Sequence, residues 1–508
     1  MISESTLSAS EQRDEILHRT FNGAKWMLYL SASALVAGFC TNVILGRLGA
    51  QTLGFYSLLM LIVSIVQTFF VFGAANVLIQ YIPNLTPALR PKFIFTYSII
   101  VFAVGLLFLG ICLAFPGLMQ FVFRQELQIP IGMYMAILVP LLLAQVLVWA
   151  TLQANLQGSM FALSQNSVSW FYFGNIGLLL ACGFLSPTSD TTNYIFGAVV
   201  LSNVLALALG AFSLRREYFR LENVSGRWFL PQGFWRFTLA LHFGTLFNFI
   251  ISNAAPVFIL RELGLRELGY FRAASVFAGF VSWIPSVFDK SFYPSFTNLV
   301  SKGLPTDEVY SKFSRLNAMS SGLVALVILL FTRELLSVFG KEFGEGAYFL
   351  LIMLSAGYVI STPFISINFA LITAHLKTPH TMIVYAVGAG AGILLYSTLV
   401  PQFGLHGIAI AFIALQVIMF TMSWALTWHY TKSPFPARAF VITLCVVCVG
   451  LIGARYFGSV SITNTFVKFG LAGAFFTVLL MTNLVTKNDV TEMLAVMLPA
   501  RRTQRNSV

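Results

Sequence analysis

Uncharged, largely apolar stretches follow one another along almost the whole chain, separated by short polar segments. Two of them, 127–189 and 378–431, are each long enough for two membrane-spanning helices. A transmembrane helix needs about 20 consecutive apolar residues, and continuous runs of this kind argue against the alternating strands of a β-barrel. We therefore predict about fourteen transmembrane helices, at 26–46, 55–79, 93–115, 131–152, 163–185, 193–214, 237–260, 268–288, 316–337, 347–370, 380–400, 405–429, 438–457 and 466–486.

The composition supports an all-α integral membrane protein. Hydrophobic residues make up 58% of the chain and charged residues 9%, whereas ordinary globular domains carry about 25% charged residues. The net charge of +12 is dispersed among the segments between the predicted spans, so it does not indicate a nucleic-acid partner. Cys445 and Cys448 have redox-motif spacing but lie in a predicted span without a charged neighbour, and we predict no metal or cofactor site.

The distribution of positive charge predicts the orientation in the membrane. With a cytoplasmic N-terminus, 21 of the 30 Lys and Arg residues fall on the inner side and nine on the outer side. Loops rich in Lys and Arg stay on the cytoplasmic side of membrane proteins. We therefore expect both termini in the cytoplasm, with residues 1–25 and 487–508 as cytoplasmic segments.

Two similar nine-residue stretches occur in the chain, 215 positions apart. Residues 48–56 read LGAQTLGFY and residues 263–271 read LGLRELGYF, and each copy follows an odd-numbered predicted span on the outer side. Six spans separate the copies, so the two halves share one orientation, as in transporters built from parallel repeats. The glycines suit a tight turn at which two backbones approach closely.

The duplication predicts the domain organisation. Spans 1 to 6 form an N-lobe at 26–214, and spans 7 to 12 form a C-lobe at 237–429, joined by a basic cytoplasmic linker at 215–236. The last two spans, within 438–486, have no counterpart in the other half. Two parallel six-helix bundles around a cleft are a transporter architecture, because alternating access needs two bodies that rock about a midplane site.

Several short motifs resemble those of one transporter family. They are GRLG (46–49), GFY (54–56), VLIQYIP (77–83) and PQFGLHGIAIA (401–411). With them the chain resembles the polysaccharide (O-antigen type) flippases of the multidrug/oligosaccharidyl-lipid/polysaccharide exporter superfamily. The resemblance implies two six-helix bundles and export of a polyprenyl-diphosphate-linked oligosaccharide across the bacterial inner membrane. It also implies that the last two spans form a groove for the lipid tail.

Three cationic residues are candidates for binding the diphosphate, since arginine offers a bidentate fork for phosphate. Arg272 lies about one turn into the eighth predicted span. Instead of binding phosphate, it can snorkel to the outer headgroups or pair with Glu267. The resemblance favours function, because the lipid II flippases carry an arginine after a tyrosine at a similar place. Arg47 ends the first span and suits a headgroup anchor or a phosphate contact. Lys290 either pairs with Asp289 or receives phosphate at the cytoplasmic gate.

Uncharged polar residues within the spans are further candidates. Asn42 can bind sugar hydroxyls or pack between helices, and the Thr-Asn sequence at 41–42 departs from the Arg-Asp pair of the lipid II branch, which favours another sugar lipid. His242 suits an interhelical hydrogen bond or proton coupling, since histidine titrates near neutrality. It belongs to a polar stripe on the seventh span formed by His242, Thr245, Asn248 and Asn253. Three other polar residues fall in mid-span without an indication of the way they face: Gln67, Gln145 and Asn175.

Two other function classes remain open. A cation-coupled multidrug antiporter of the same superfamily would have twelve spans and a buried acid, and no predicted span contains a mid-span Asp or Glu. A membrane-embedded lipid-sugar enzyme needs carboxylates or a histidine base in a sizeable outer loop, whereas the predicted outer loops are short. No GxxxxGK(S/T) phosphate loop is present, which excludes a primary ATPase. The preferred hypothesis is a non-enzymatic flippase for surface polysaccharide or exopolysaccharide, with a lipid-linked sugar and membrane lipid as ligands and a polymerase and export machinery as partners.

Overall fold

In the described part of the chain, the computed structural model consists of α-helices with one π-helical segment. No β-strand occurs among the described residues, in agreement with the all-α prediction. The described residues are 9–71, 73–82, 85–86, 88–115, 131–155, 157–186, 191–218, 228–301, 305–375, 378–457 and 462–481. Within these ranges, the side chains of several helical segments, including 9–25 and 286–295, lie outside the description.

The helices follow the predicted spans closely. The first nine are α1 (Ala9–Arg47), α2 (Ala50–Ile65), α3 (Ala74–Tyr81), α4 (Arg90–Ala114), α5 (Ile131–Ala154), α6 (Gly158–Ala181), α7 (Thr192–Tyr218), α8 (Phe234–Glu262) and α9 (Leu265–Ser301). The others are α10 (Asp307–Leu330), α11 (Thr332–Ser337), α12 (Phe343–Gly346), α13 (Tyr348–Ala374), α14 (Thr378–Phe403), α15 (Leu405–Thr431), α16 (Ala437–Phe457) and α17 (Ile462–Met481). Twelve of the predicted spans coincide with described helices long and apolar enough to cross a membrane. The other two, the fifth and the eighth, coincide with α6 and α9.

Two predicted spans are interrupted, so their prediction as single helices is wrong. The second span, predicted at 55–79, continues from α2 into a π-helical segment at Val66–Phe70 and stops before Gly73. Gly73 has φ of 73°, a left-handed conformation that ends one helix and precedes the next. The ninth span, predicted at 316–337, ends at Leu330, and α11 begins two residues later.

The contacts divide the chain into two compact units, Met1–Gly269 and Tyr270–Val508. In the first unit α5 packs on α7, α6 on α7, and α4 on α5. The corresponding spans of the second unit, six spans further along the chain, pack in the same way. There α13 contacts α15, α14 contacts α15, and α10 contacts α13. The recurrence of the pairs supports the duplication. The lobe boundaries at 26–214 and 237–429 stay a prediction.

The two copies of the nine-residue repeat have the same backbone geometry. The first glycine of each copy, Gly49 or Gly264, has a positive φ, of 128° and 111° respectively, that residues with a side chain rarely adopt. The carbonyl of each accepts a hydrogen bond from the amide four residues later, at 3.2 Å in both copies. The similar sequences therefore encode the same tight turn into a helix, as predicted.

The second glycine of each copy packs against the other copy. A Cβ added at Gly54 would collide with the carbonyl oxygen of Leu265, and a Cβ added at Gly269 would collide with that of Ala50. Gly54 corresponds to Gly269 in the repeat, and Ala50 corresponds to Leu265. The contact is therefore reciprocal, as across a local two-fold axis. We call it the glycine crossing, and all four of its residues belong to the first unit.

In the second unit, an ion pair between a buried lysine and a partly exposed glutamate ties α17 to α11. The ammonium of Lys468 on α17 is fully buried and lies 2.5 Å from a carboxylate oxygen of Glu334. It also lies 5.4 Å from the ring centroid of Phe331. A buried charge is tolerated where it has an opposite partner, so this pair fixes where α17 attaches.

Candidate functional site

A cavity of about 380 Å³ lies between α2 and α8 in the first unit. Seven polar residues line it: Ser64, Gln67, Thr68, Thr245, Asn248, Ser252 and Asn253. The described apolar lining is Val71, Val146 and Phe249, together with Gly73. No charged side chain occurs among these described lining residues. The helices that carry them are apolar enough to cross a membrane, so the cavity is a polar space within a membrane span. We call this space the α2–α8 cavity.

The α2 wall of the cavity includes the π-helical segment at Val66–Phe70. Gln67 and Thr68 lie three and four positions after Ser64, so both share a face of the chain with it. π-Helical turns, with hydrogen bonds from residue i to i+5, are rare and often occur at functional sites. Ser64, Gln67 and Thr68 all line the cavity, so the polar face of this span borders it.

The α8 wall contains most of the polar stripe predicted on the seventh span. Thr245, Asn248 and Asn253 line the cavity as a group. His242, also assigned to the stripe, is buried with 8% of its surface exposed and is not one of the lining residues. Its carbonyl accepts the hydroxyl proton of Thr245 at 2.7 Å.

None of the three cationic candidates is among the described lining residues of the α2–α8 cavity. Arg47 is exposed in the last turn of α1, where a positive charge complements the helix dipole. Arg272 is half-buried in α9, and its carbonyl accepts a hydrogen bond from the hydroxyl of Ser275 at 3.0 Å. Lys290 belongs to the helical range of α9, but its side chain lies outside the described residues. A cation-lined passage therefore stays a prediction.

Asn42 is packed inside the first unit with 3% of its surface exposed. Its amide nitrogen donates to the carbonyl of Gly38 at 2.6 Å. The preceding residue, Thr41, lines a smaller cavity of about 80 Å³ with Gly38, Tyr56 and Ser202. The environment of Asn42 fits the helix-packing alternative better than a sugar contact.

The three mid-span polar residues of unknown direction have different surroundings. Gln67 lines the α2–α8 cavity. Gln145 is fully buried, and its amide nitrogen lies 3.5 Å from the carbonyl oxygen of Asn203 on α7. Asn175 donates to the hydroxyl of Ser202 at 3.0 Å. Gln145 and Asn175 thus join neighbouring helices, and only Gln67 of the three faces the described cavity.

Sequence reasoning missed three of the lining residues, Ser64, Thr68 and Ser252. Serine and threonine are common in transmembrane helices, where their hydroxyls often bond to the carbonyl of the preceding turn. Such residues give no signal by themselves. The available signal was their closeness to residues already singled out. Ser64 lies three positions before Gln67 and Thr68 directly after it, and Ser252 lies four positions after Asn248.

Several solved structures share this fold over most of their length. The lipid II flippase MurJ in an inward closed conformation aligns with 90% of this chain and 99% of its own, with a TM-score of 0.65 and 14% identity. An inward-facing multidrug resistance MATE family transporter of the MOP superfamily aligns with 79% of this chain and 95% of its own, with a TM-score of 0.58 and 13% identity. An outward-facing multidrug resistance MATE family transporter of the MOP superfamily aligns with 82% of this chain and 95% of its own, with a TM-score of 0.52 and 12% identity. At these identities the likeness concerns the fold.

The fold and the twelve described apolar helices define a multi-pass membrane protein of the helical MurJ and MATE transporter architecture. Residues 23–300, more than half of the chain, match the family model described as polysaccharide biosynthesis protein. The chain belongs to this family, as the short motifs predicted. No curated protein matches the sequence at a significant level.

Proposed function

We propose that the protein translocates a polyprenyl-diphosphate-linked oligosaccharide across the bacterial inner membrane for polysaccharide biosynthesis. The two lobes predicted from the duplication alternate in access, and the polyprenyl tail stays in the lipid. Family membership supports the link to polysaccharide, and the fold shared with a lipid II flippase supports a lipid-linked substrate. The chain acts as a carrier and not as an enzyme, in the cytoplasmic membrane with both termini inside the cell. A polysaccharide polymerase and export machinery are its proposed partners.

The observation that carries this proposal is the α2–α8 cavity. Moving an unpaired hydroxyl from water into hydrocarbon costs a few kcal/mol, and an oligosaccharide has many hydroxyls. A carrier must therefore offer polar groups inside the membrane. The cavity presents seven polar side chains on spans that are long and apolar enough to cross a membrane. Its volume of about 380 Å³ lies in the range of small-molecule sites.

The membrane potential supplies a driving force for export of this substrate. The cytoplasm is electrically negative, so outward movement of an anion releases about 2.3 kcal/mol per charge per 100 mV. A diphosphate therefore moves downhill without a dedicated coupling ion. The cation-coupled antiporter is less favoured, because no carboxylate lines the described cavity.

A deletion strain tests the proposed function. Lipid-linked oligosaccharide should accumulate in the cytoplasmic leaflet, as measured by its accessibility to a membrane-impermeant reagent in vesicles of known orientation. Re-expression of the wild-type chain should restore the outer-leaflet pool. A normal leaflet distribution together with drug hypersensitivity would instead identify the antiporter.

Arg272 is the proposed phosphate contact, and a substitution tests it separately. Arg272→Ala should abolish export at an unchanged protein level, whereas Arg272→Lys should retain part of it, since lysine keeps the charge without the bidentate fork. Arg266→Ala is the matched control, because Arg266 belongs to the same helix and is exposed. Full export by Arg272→Ala would remove this residue from the site.

A further inference from the structure

We propose that the α2–α8 cavity recognises an uncharged sugar residue of the substrate through two primary amides, Gln67 and Asn248, that make no hydrogen bond to another described residue. This inference rests on the proposed function and goes further by naming the part of the substrate that the cavity binds. The cavity selects a neutral sugar, and the diphosphate is bound elsewhere. Three properties of the described lining residues lead to this assignment: the two amides, the absence of a charged side chain among them, and the apolar wall.

The amides of Gln67 and Asn248 are available to a ligand. Neither side chain forms a hydrogen bond with another described residue, and Asn248 is exposed. By contrast, Asn253 donates from its amide nitrogen to the carbonyl of Phe249 at 3.2 Å. Thr245 has its proton in the bond to the carbonyl of His242. Gln67 and Asn248 therefore retain both donor and acceptor functions, whereas Asn253 and Thr245 mainly offer oxygen atoms.

A primary amide matches the chemistry of a sugar ring. It carries a donor NH₂ and an acceptor oxygen side by side, and two neighbouring hydroxyls of a sugar present the complementary donor and acceptor. One amide can thus form two hydrogen bonds with one vicinal diol. The hydroxyls of Ser64, Thr68 and Ser252 add groups that act as either donor or acceptor.

The lack of charge determines which sugars fit. A carboxylate or phosphate that enters this space leaves water, and no cation among the described lining residues compensates the lost hydration. A neutral sugar loses only hydroxyl hydration, which the seven polar side chains replace. The cavity therefore discriminates against uronic acids and other acidic sugars.

The apolar wall completes the site. Phe249 lines the cavity, and its ring is held edge-on by Phe69, with the centroids 5.2 Å apart. Sugars have apolar C–H faces as well as polar edges, and an amphipathic pocket can accommodate both. Phe249 belongs to the same turn of α8 as Asn248, so one turn offers an apolar face and an amide together.

The test uses purified protein in proteoliposomes and two synthetic probes. Both are polyprenyl diphosphates with a disaccharide, and they differ only in whether the second sugar is glucose or glucuronate. Translocation is measured as the fraction of probe that becomes accessible to a membrane-impermeant glycosidase. We expect the wild-type protein to move the glucose probe at least tenfold faster than the glucuronate probe.

Substitutions locate the selectivity in the cavity. Gln67→Glu and Asn248→Asp each replace the donor with a negative charge at nearly constant shape, and each should slow the glucose probe about tenfold. Gln51→Glu is the matched control: Gln51 is exposed in the first turn of α2, in the same span as Gln67, and its variant should keep the wild-type rate. Asn248→Asp alters an exposed side chain, so it reports on the site even if Gln67→Glu folds poorly.

The outcomes separate this inference from the proposed function. Equal rates for the two probes, or unchanged rates in both cavity variants, would overturn the assignment of the cavity to a neutral sugar while the flippase function stands. Failure of the wild-type protein to move either probe would overturn the proposed function and this inference with it.

Discussion

The two ends of α2 contrast within one transmembrane span. At its start, Gly54 lies in the glycine crossing, where one added methyl group would collide with a backbone carbonyl. Three turns later the same span turns π-helical and borders the α2–α8 cavity. One end is packed so closely that only glycine fits, and at the other end the polar side chains border an open cavity. The comparison suggests that α2 combines a rigid contact with a binding surface.

The largest expected effect comes from a bulky residue in the glycine crossing. Gly54→Val and Gly269→Val should each prevent the first unit from packing, at a cost above about 4 kcal/mol, because the colliding atoms are backbone atoms that cannot rotate away. Size-exclusion profiles of detergent-solubilised protein should show aggregation. Gly174→Val is the control, since Gly174 has open space around its Cβ position. A monodisperse Gly54→Val protein would refute the crossing.

Alanine tests whether the crossing is reciprocal. Gly54→Ala and Gly269→Ala should destabilise the protein by similar amounts, about 2 to 3 kcal/mol each, from overpacking. The double variant should cost less than the sum, because the first substitution already separates the two helices. Thermal unfolding of the purified variants measures both quantities. Fully additive effects would mean that the glycines act at independent sites.

At the other end of α2, substitutions should affect transport more than stability. The double variant Gln67→Leu with Asn248→Leu should lower export at least about tenfold, equivalent to about 1.4 kcal/mol of lost binding. Its free energy of unfolding should change by less than about 1 kcal/mol, because neither amide bonds to another described residue. Leaflet distribution and thermal unfolding are measured on the same preparation. Destabilisation comparable to that of the alanine variants would contradict the contrast between the two ends.

The smallest effect on transport is expected from a substitution in the second unit, at polar residues that hydrogen-bond to one another. Tyr310 donates to the side-chain oxygen of Asn368 at 2.7 Å, and the Asn368 amide donates to Ser423 at 3.0 Å. Tyr310→Phe should cost about 1 kcal/mol of stability and leave export per molecule unchanged. In an Asn368→Ala background the same substitution should cost almost nothing. A loss of export in Tyr310→Phe would show that this chain of hydrogen bonds takes part in transport.

The positions of the helices followed from the sequence because each needs only a long apolar run, which can be read locally. The two interruptions were missed, since a glycine such as Gly73 is tolerated within many helices and does not mark a break by itself. Four cavity residues were already recognised as polar positions within spans: Gln67, Thr245, Asn248 and Asn253. Their polarity could be read from the sequence, but the surroundings of Gln145 and Asn175 show that polarity alone does not indicate a cavity.

By itself, the sequence determined the all-α membrane architecture and the repeated glycine turn, because these depend on local hydrophobicity and on backbone conformations that only glycine adopts easily. The sequence also determined the family, because its short motifs are read directly from the residues. The tertiary structure decided which polar side chains face a cavity. It also decided that Gly54 packs against the carbonyl of Leu265 and Gly269 against that of Ala50. A helix that is apolar on every side has no preferred face in its sequence. Its orientation is determined only by the helices that pack around it.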